Sequence, residues 1–278
     1  MSKTGLVLEG GGLRGVFTSG VIDCFLDKDI SFDYVIGVSA GSCNAFEFVG
    51  KQRGYVRSCM IQKNPMNSFF GVPQMVGSHK LVDLDKVFND YAEKYGFDYE
   101  NFVRSDQEWE MVVSNVETGK PEYMNTHDVE RAKLIGIASC SMPGFTPIVD
   151  IDGKKYLDGG ICDSIPLERA LEKGCDKLVI VLTRKKGNFS KINEAGKQFF
   201  KRIYSDYPNF VEALLNRNDL YKSQVEKAEE LEAQGKAIII RPTLQEVGRL
   251  ESDEDELLMS YYHGYTKAKE YIEQIRNL

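Results

Sequence analysis

Gly37-Val38-Ser39-Ala40-Gly41 follows directly on the apolar run Tyr34-Val35-Ile36. A serine hydroxyl is a poor nucleophile until a sharp strand-to-helix turn presents it, and glycines two before and two after leave the backbone free to make that turn. The β-branched and aromatic content of Phe32 to Val38 predicts a strand, and Ser42 to Val49 can open a helix whose N-terminus points at the serine. Ser39 is therefore the candidate nucleophile, with Gly37 and Gly41 as its elbow. The five-residue pattern also arises in ordinary loops, where the serine only caps a helix. Two other stretches decide the matter.

Near the N-terminus, Leu6-Val7-Leu8 predicts a short buried strand and Val16 to Asp27 a helix, with Glu9-Gly10-Gly11-Gly12-Leu13-Arg14-Gly15 between them. Backbone N–H groups in such a loop, with a helix N-terminus behind, form an anion site. Gly10, Gly12 and Gly15 satisfy the G-x-G-x-x-G dinucleotide fingerprint, but that site also needs an acidic residue at the end of the second strand to hold a ribose. Here the second strand ends in the serine elbow. The loop is better read as an oxyanion hole for an ester carbonyl, the N–H groups of Gly11 and Gly12 facing the oxygen.

The later stretch runs from Ala138 to Pro147 and on through Tyr156-Leu157 to Asp158-Gly159-Gly160. Asp158 ends a predicted strand, and the two glycines turn the chain sharply and leave its carboxylate unobstructed. It is the candidate base. Between these stretches lie a predicted amphipathic helix over Leu81 to Tyr95, a strand pair turning at Thr118-Gly119, and a helix over Asp128 to Ser139. A helix opening near Pro166 and an apolar strand, Lys177 to Leu182, follow. Strands and helices alternating this way predict an α/β fold around a mainly parallel, buried sheet. Residues 184–222 interleave cations with aromatics; that pattern suits a membrane-surface helix or, since Glu194, Asp206 and Glu212 dilute the charge, an amphipathic helix covering the sheet. Helix continues over Val225 to Gln234, a late strand covers Ala237 to Ile240, and a closing helix runs from Asp253 to Ile275. Asn64 to Pro73 carries Phe69 and Phe70, either a hydrophobic lid over a lipid site or loop aromatics folded onto the core.

Composition narrows the classes. The 278 residues are 42% hydrophobic and 28% charged, with mean hydropathy -0.33, the profile of an ordinary globular chain. A net charge of -7 without a long basic run argues against a nucleic-acid partner. The six cysteines are scattered, with no metal-ligand spacing, and read as small core residues in a reducing cytosol. No run of ~18 apolar residues is present to span a membrane, and the N-terminus lacks a secretion signal's apolar core. A cytoplasmic protein is expected, with peripheral contact at the inner membrane surface through Phe69, Phe70 or residues 184–210 as a hypothesis.

In that order, the glycine loop, the elbow and Asp158-Gly159-Gly160 resemble the patatin-like phospholipase family. The similarity runs from about Thr4 to Leu182, and Arg249 to Tyr265 more weakly resembles the C-terminal extension of small bacterial members. The resemblance implies a three-layer α/β/α patatin-like fold, with residues 1–184 as catalytic core and 185–278 as an extension packed on it in one continuous domain. It also implies a Ser-Asp dyad that hydrolyses acyl esters of lipids with no metal and no cofactor: Ser39 the nucleophile, Asp158 the proton acceptor, and Gly10, Gly11, Gly12 and Arg14 in the oxyanion loop. Two positions depart from the family's commoner residues, Glu9 for Asp and Gly160 for Ala, and neither removes a group the mechanism uses.

Two rivals remain. Ser39, Asp158 and His263 fall in the serine, acid, histidine order of α/β-hydrolases, yet only 38 residues precede Ser39, too few for that fold's strands before the nucleophile. His79 and His127 read as surface or capping residues. The other rival is a non-catalytic lipid- or partner-binding protein on the same fold. The lipid head group and acyl length are not set by these motifs.

Overall fold

The computed structural model describes residues 2–62, 83–189, 192–244 and 246–278. Their strands form one eight-stranded sheet, seven side by side and an eighth paired to the third of these. β1 (Thr4–Leu8) is central, parallel to β2 (Tyr34–Val38) on one side and β7 (Lys177–Val181) on the other. β3 (Glu108–Asn115) extends the parallel set beyond β2, and β8 (Ala237–Ile240) extends it beyond β7. β4 (Lys120–Met124), β5 (Val149–Ile151) and β6 (Lys154–Asp158) add an antiparallel end.

Parallel neighbours require crossovers, and the crossovers here are helices on both faces. β1 shows why its sequence is apolar throughout: Leu6 and Leu8 point into one layer of core and Val7 into the other. The first layer is built by α1 (Gly15–Asp27), α2 (Ala40–Val49), α6 (Val129–Cys140) and α10 (Glu254–Arg276). The second is built by α7 (Leu167–Glu172) and α9 (Pro208–Ala233). Three short helices, α3 (Tyr55–Met60), α4 (Tyr91–Tyr95) and α5 (Tyr99–Arg104), lie beside the first layer. The result is a three-layer α/β/α arrangement. Caps fall where the sequence places them: Asp128 accepts from the Arg131 N–H at 2.7 Å, and Asp253 from the Glu256 N–H at 3.0 Å ahead of three acidic residues.

Two expectations change. Helix over residues 81–95 is described only from Leu84, and it includes a wide π turn at Lys86–Asp90 before α4. The described residues within 184–222 form two helices, α8 (Glu194–Ile203) and the first half of α9. α9 covers the sheet with Tyr221 and Val225. α8 buries no residue; its aromatic face turns to the loop at Gly144, which Phe199 and Phe200 approach. The 64–73 loop and His79 lie outside the described residues.

Residues beyond 184 touch the rest closely. On the α1–α10 contact a Cβ at Gly20 would meet the Tyr261 backbone, and one at Gly264 the Phe17 backbone. The Tyr261 hydroxyl then reaches Asp23 at 2.6 Å.

Candidate active site

Ser39 joins β2 to α2 at φ 55°, a left-handed value rare for a serine. The strain rests on the serine itself. Gly37 and Gly41 have no positive φ; they are clearances, since a Cβ on Gly37 would run into the Gly41 carbonyl and one on Gly41 into the Leu8 carbonyl. Hydrogen bonds hold the strained residue in place. The Ser39 N–H donates to Ser139 Oγ at 2.9 Å, Ser139 Oγ donates to the Val112 carbonyl at 2.7 Å, and Ser42 Oγ donates to the Ser39 carbonyl at 2.6 Å.

Across from it, Asp158 closes β6. Its N–H donates to the Ser141 carbonyl at 2.8 Å, while Ser114 Oγ donates to its carbonyl at 2.8 Å. Its carboxylate takes two bonds: Gly160 N–H to Oδ1 at 2.7 Å and Ser39 Oγ–H to Oδ2 at 2.8 Å. Gly159 lets this turn approach β3, where a Cβ would strike the Val112 carbonyl. Burial pushes the Asp158 carboxyl above the usual carboxylate range, against the Ser39 and Gly160 bonds and the charges of Arg217 and Arg249. A carboxylate so placed is a stronger base than an exposed one.

The glycine loop lies over the elbow. A Cβ on Gly10 would come within 2.9 Å of the Ser39 Cβ, so this approach requires glycine. Gly12, at φ 59°, opens a turn that runs straight into α1, and the N–H groups of Gly11 and Gly12 have no acceptor among the described residues. Glu9 anchors the loop rather than the chemistry. It accepts from the Thr183 N–H at 2.6 Å, and Thr183 Oγ1 donates to the Gly10 carbonyl at 3.0 Å. Burial raises the Glu9 pKa, opposed by the Thr183 bond and Arg184. The Arg14 side chain lines neither cavity at Ser39; burial and the nearby Arg184 lower its pKa, and Glu246 and Glu9 partly offset them.

Two cavities meet at Ser39. One is apolar, walled by Phe46, Val56, Met60, Phe88 and Met142. The other is more polar, with Gly11, Gly12, Asp158, Arg217 and Arg249 in its wall beside Met142, Phe145, Ile161, Phe200 and Leu214. Neither described histidine lines them: His263 faces Thr243 at 3.1 Å and packs on Phe17, and His127 faces the Phe102 carbonyl at 3.2 Å. Among the described residues no group of ligands could hold a metal ion, and no helix is long and apolar enough to cross a membrane.

The structure therefore brings together Ser39, Asp158 and the glycine loop from three separate stretches. It adds Ser139, Thr183, Arg217 and Arg249, which the sequence reading did not single out. Ser139 lies within the Ala138 to Pro147 stretch. Arg249 opens the Arg249 to Tyr265 stretch, but nothing local marks either arginine for the site, because only the tertiary fold turns Arg217 and Arg249 to the serine.

A mainly parallel sheet with a serine on a left-handed turn and a carboxylate against its hydroxyl defines an α/β protein of the serine-carboxylate kind. Comparison with known proteins narrows this. The sequence pattern of the family described as Patatin-like phospholipase matches residues 6–171, and that of a domain of unknown function, DUF6363, matches residues 207–278. The chain belongs to the patatin-like phospholipase family.

An uncharacterized Escherichia coli protein, YjjU, is 34% identical over 191 residues, covering 65% of this chain and 52% of the relative. Lysophospholipase nte1 of Aspergillus terreus is 25% identical over 310 residues, covering 99% of this chain and 18% of the relative. The chain thus spans about half of the first of these curated relatives and less than a fifth of the second. The crystal structure of VipD from Legionella pneumophila superposes with a TM-score of 0.55 at 11% identity, over 98% of this chain and 67% of that one. That likeness concerns the fold.

Proposed function

We propose that the protein is a serine acyl hydrolase of the phospholipase A or lysophospholipase kind, cleaving acyl esters of lipids with a Ser39-Asp158 dyad. One observation carries the reading: the 2.8 Å bond from Ser39 Oγ to Asp158 Oδ2 lies where the apolar and polar cavities meet. Membership of the family and the lysophospholipase relatives support the same class.

Ser39 Oγ attacks the ester carbonyl carbon as its proton passes to Asp158. The carbonyl oxygen becomes an oxyanion held by the N–H groups of Gly11 and Gly12, each such donor contributing about 3 kcal/mol to lowering the barrier. Collapse breaks the ester C–O bond, and the departing alcohol takes the proton from Asp158. Water then attacks the acyl-enzyme, giving its proton to Asp158, and the released Ser39 oxygen recovers that proton as the fatty acid leaves. The acyl chain occupies the apolar cavity. No histidine or metal enters this scheme.

The extension, residues 185–278, works with the 1–184 core as one domain; the pairing of β8 with β7 and the close α1–α10 contact support this. Six unpaired cysteines support a reducing, cytoplasmic setting. Peripheral membrane contact falls to α8, whose Phe199 and Ile203 stay exposed beside exposed Phe145 at the rim of the polar cavity.

Hydrolysis of p-nitrophenyl esters and of lysophospholipids by wild type, Ser39→Ala and Asp158→Ala tests the dyad. Both variants should lose at least about 10³-fold while staying folded. Wild type that turns over neither class, or variants that retain activity, would favour a lipid-binding protein without catalysis.

A further inference from the structure

Arg217 lies on α9 and Arg249 on the turn before α10, both inside the stretch matched by the domain of unknown function. Both line the polar cavity with Ser39 and Asp158. Arg249 is tied to the site by its backbone and Arg217 by its side chain. The Leu13 N–H donates to the Arg249 carbonyl at 3.0 Å, and the Cβ that Gly12 lacks would sit 2.7 Å from that same oxygen. Arg217 Nε donates to the carbonyl of Gly160, whose own N–H donates to Asp158 Oδ1.

The remaining N–H groups of these side chains lack carboxylate partners. Among the described residues the Arg249 guanidinium makes no hydrogen bond or ion pair, and Arg217 uses Nε alone. The charge of Asp158 partly offsets both cations, but the nearby carboxylates spend their hydrogen bonds elsewhere: Asp158 on Ser39 and Gly160, Glu9 on Thr183, and Glu246 on the Lys185 N–H and Asn188. Burial, then the charges of Arg217, Arg184 and Arg14, push the Arg249 pKa down to about 9. Cations crowded in a cleft repel one another and lose hydration, and an anion entering between them removes both costs. Planar guanidinium forks favour anions that accept paired hydrogen bonds, above all phosphate.

We propose that Arg217 and Arg249 form a phosphate subsite next to the nucleophile, so that the substrate is an acyl ester on a glycerophosphate rather than a neutral acylglycerol. This deepens the hydrolase reading and rests on it for the word substrate. The C-terminal region thereby selects which esters reach Ser39.

The test compares kcat/KM for a lysophosphatidylglycerol and the monoacylglycerol of the same chain, with wild type, Arg249→Gln, Arg217→Gln and Arg249→Lys. Wild type should prefer the phosphate ester. Arg249→Gln should lower that preference at least about tenfold, the scale of one lost charge-assisted pair, and Arg249→Lys should restore part of it. An unchanged ratio in folded variants overturns the subsite, whatever the absolute rates.

Calorimetry on Ser39→Ala provides an arm independent of turnover. sn-Glycerol 3-phosphate should bind, more tightly than inorganic phosphate, and Arg249→Gln should weaken it at least about tenfold. Absence of binding, or equal affinity for inorganic phosphate, overturns the head-group assignment. Binding together with a wild type that hydrolyses nothing sustains the subsite and overturns the hydrolase reading alone.

Discussion

The two cavities at Ser39 differ in what they can measure. The apolar one has Lys133 as the single charged residue among its described lining, so it reads area. The more polar one combines the glycine loop, a carboxylate and two guanidinia with Met142, Phe145, Ile161, Phe200 and Leu214, so it reads charge as well as area. Apolar burial accrues at about 0.8 kcal/mol per methylene, a graded scale that separates neighbouring chain lengths weakly. A site built around charged and hydrogen-bonding groups rejects a ligand that leaves them unpaired far more steeply. Selectivity in this protein should therefore be soft toward the acyl chain and sharp toward the head group.

The largest effect that separates the two sides comes from filling the apolar one. Cys43 on α2 lines it, its sulfur 3.7 Å from that of Cys140. Cys43→Leu shortens the space for a chain. If about four methylenes are displaced, long-chain esters lose roughly 3 kcal/mol, about 100-fold in kcat/KM relative to butyryl esters. A chain-length series in both proteins checks this. Loss that is uniform across the series would mean that the acyl chain lies elsewhere.

A smaller effect belongs to the rim. On α8, Phe199 is 50% and Ile203 42% exposed, with Lys197, Lys201 and Arg202 on the same short helix. Inserting the exposed halves of two such side chains into a bilayer is worth about 2 kcal/mol in all. Phe199→Ser with Ile203→Ser should lower sedimentation with phosphatidylglycerol vesicles about 30-fold, and added salt should weaken the remaining binding. Unchanged sedimentation would assign membrane contact to another surface.

The sides differ equally in how far the sequence discloses them. The serine elbow, the glycine loop and Asp158 are legible because each needs glycine at a fixed offset, and backbone clearance leaves that mark wherever the fold occurs. The parallel sheet is legible because strands buried on both faces read as apolar runs. Arg217 and Arg249 leave no such mark. An arginine on a polar helix or in an acidic loop is ordinary until α9 and the Arg249 turn are packed against the glycine loop. The same holds for α8: its aromatics and cations suit a sheet-covering helix as well as an exposed one, and only the break before Pro208 separates it from α9. Nor does the pattern tell which elbow residue carries the strain. The glycines are the sequence signal, yet the left-handed φ belongs to Ser39.

The smallest predicted effect concerns pH, and it divides the sides again. Burial raises the Asp158 pKa in the folded protein above its unfolded value. The protonated form is then favoured by folding, so this group's contribution to stability is full below the unfolded pKa, near 4, and is lost as pH rises through the folded value. At neutral pH the ionised carboxylate costs stability that Asn would not. Asp158→Asn should therefore abolish activity yet raise Tm by a few degrees at neutral pH, a gain that fades on acidification toward pH 4. Cys43→Leu adds no titrating group and should shift Tm by the same amount at both ends of that range. Thermal melts across pH distinguish them. An Asp158→Asn protein less stable than wild type at neutral pH would mean that Arg217 and Arg249 rely on that carboxylate more than burial opposes it, leaving the polar cavity less in need of an anion.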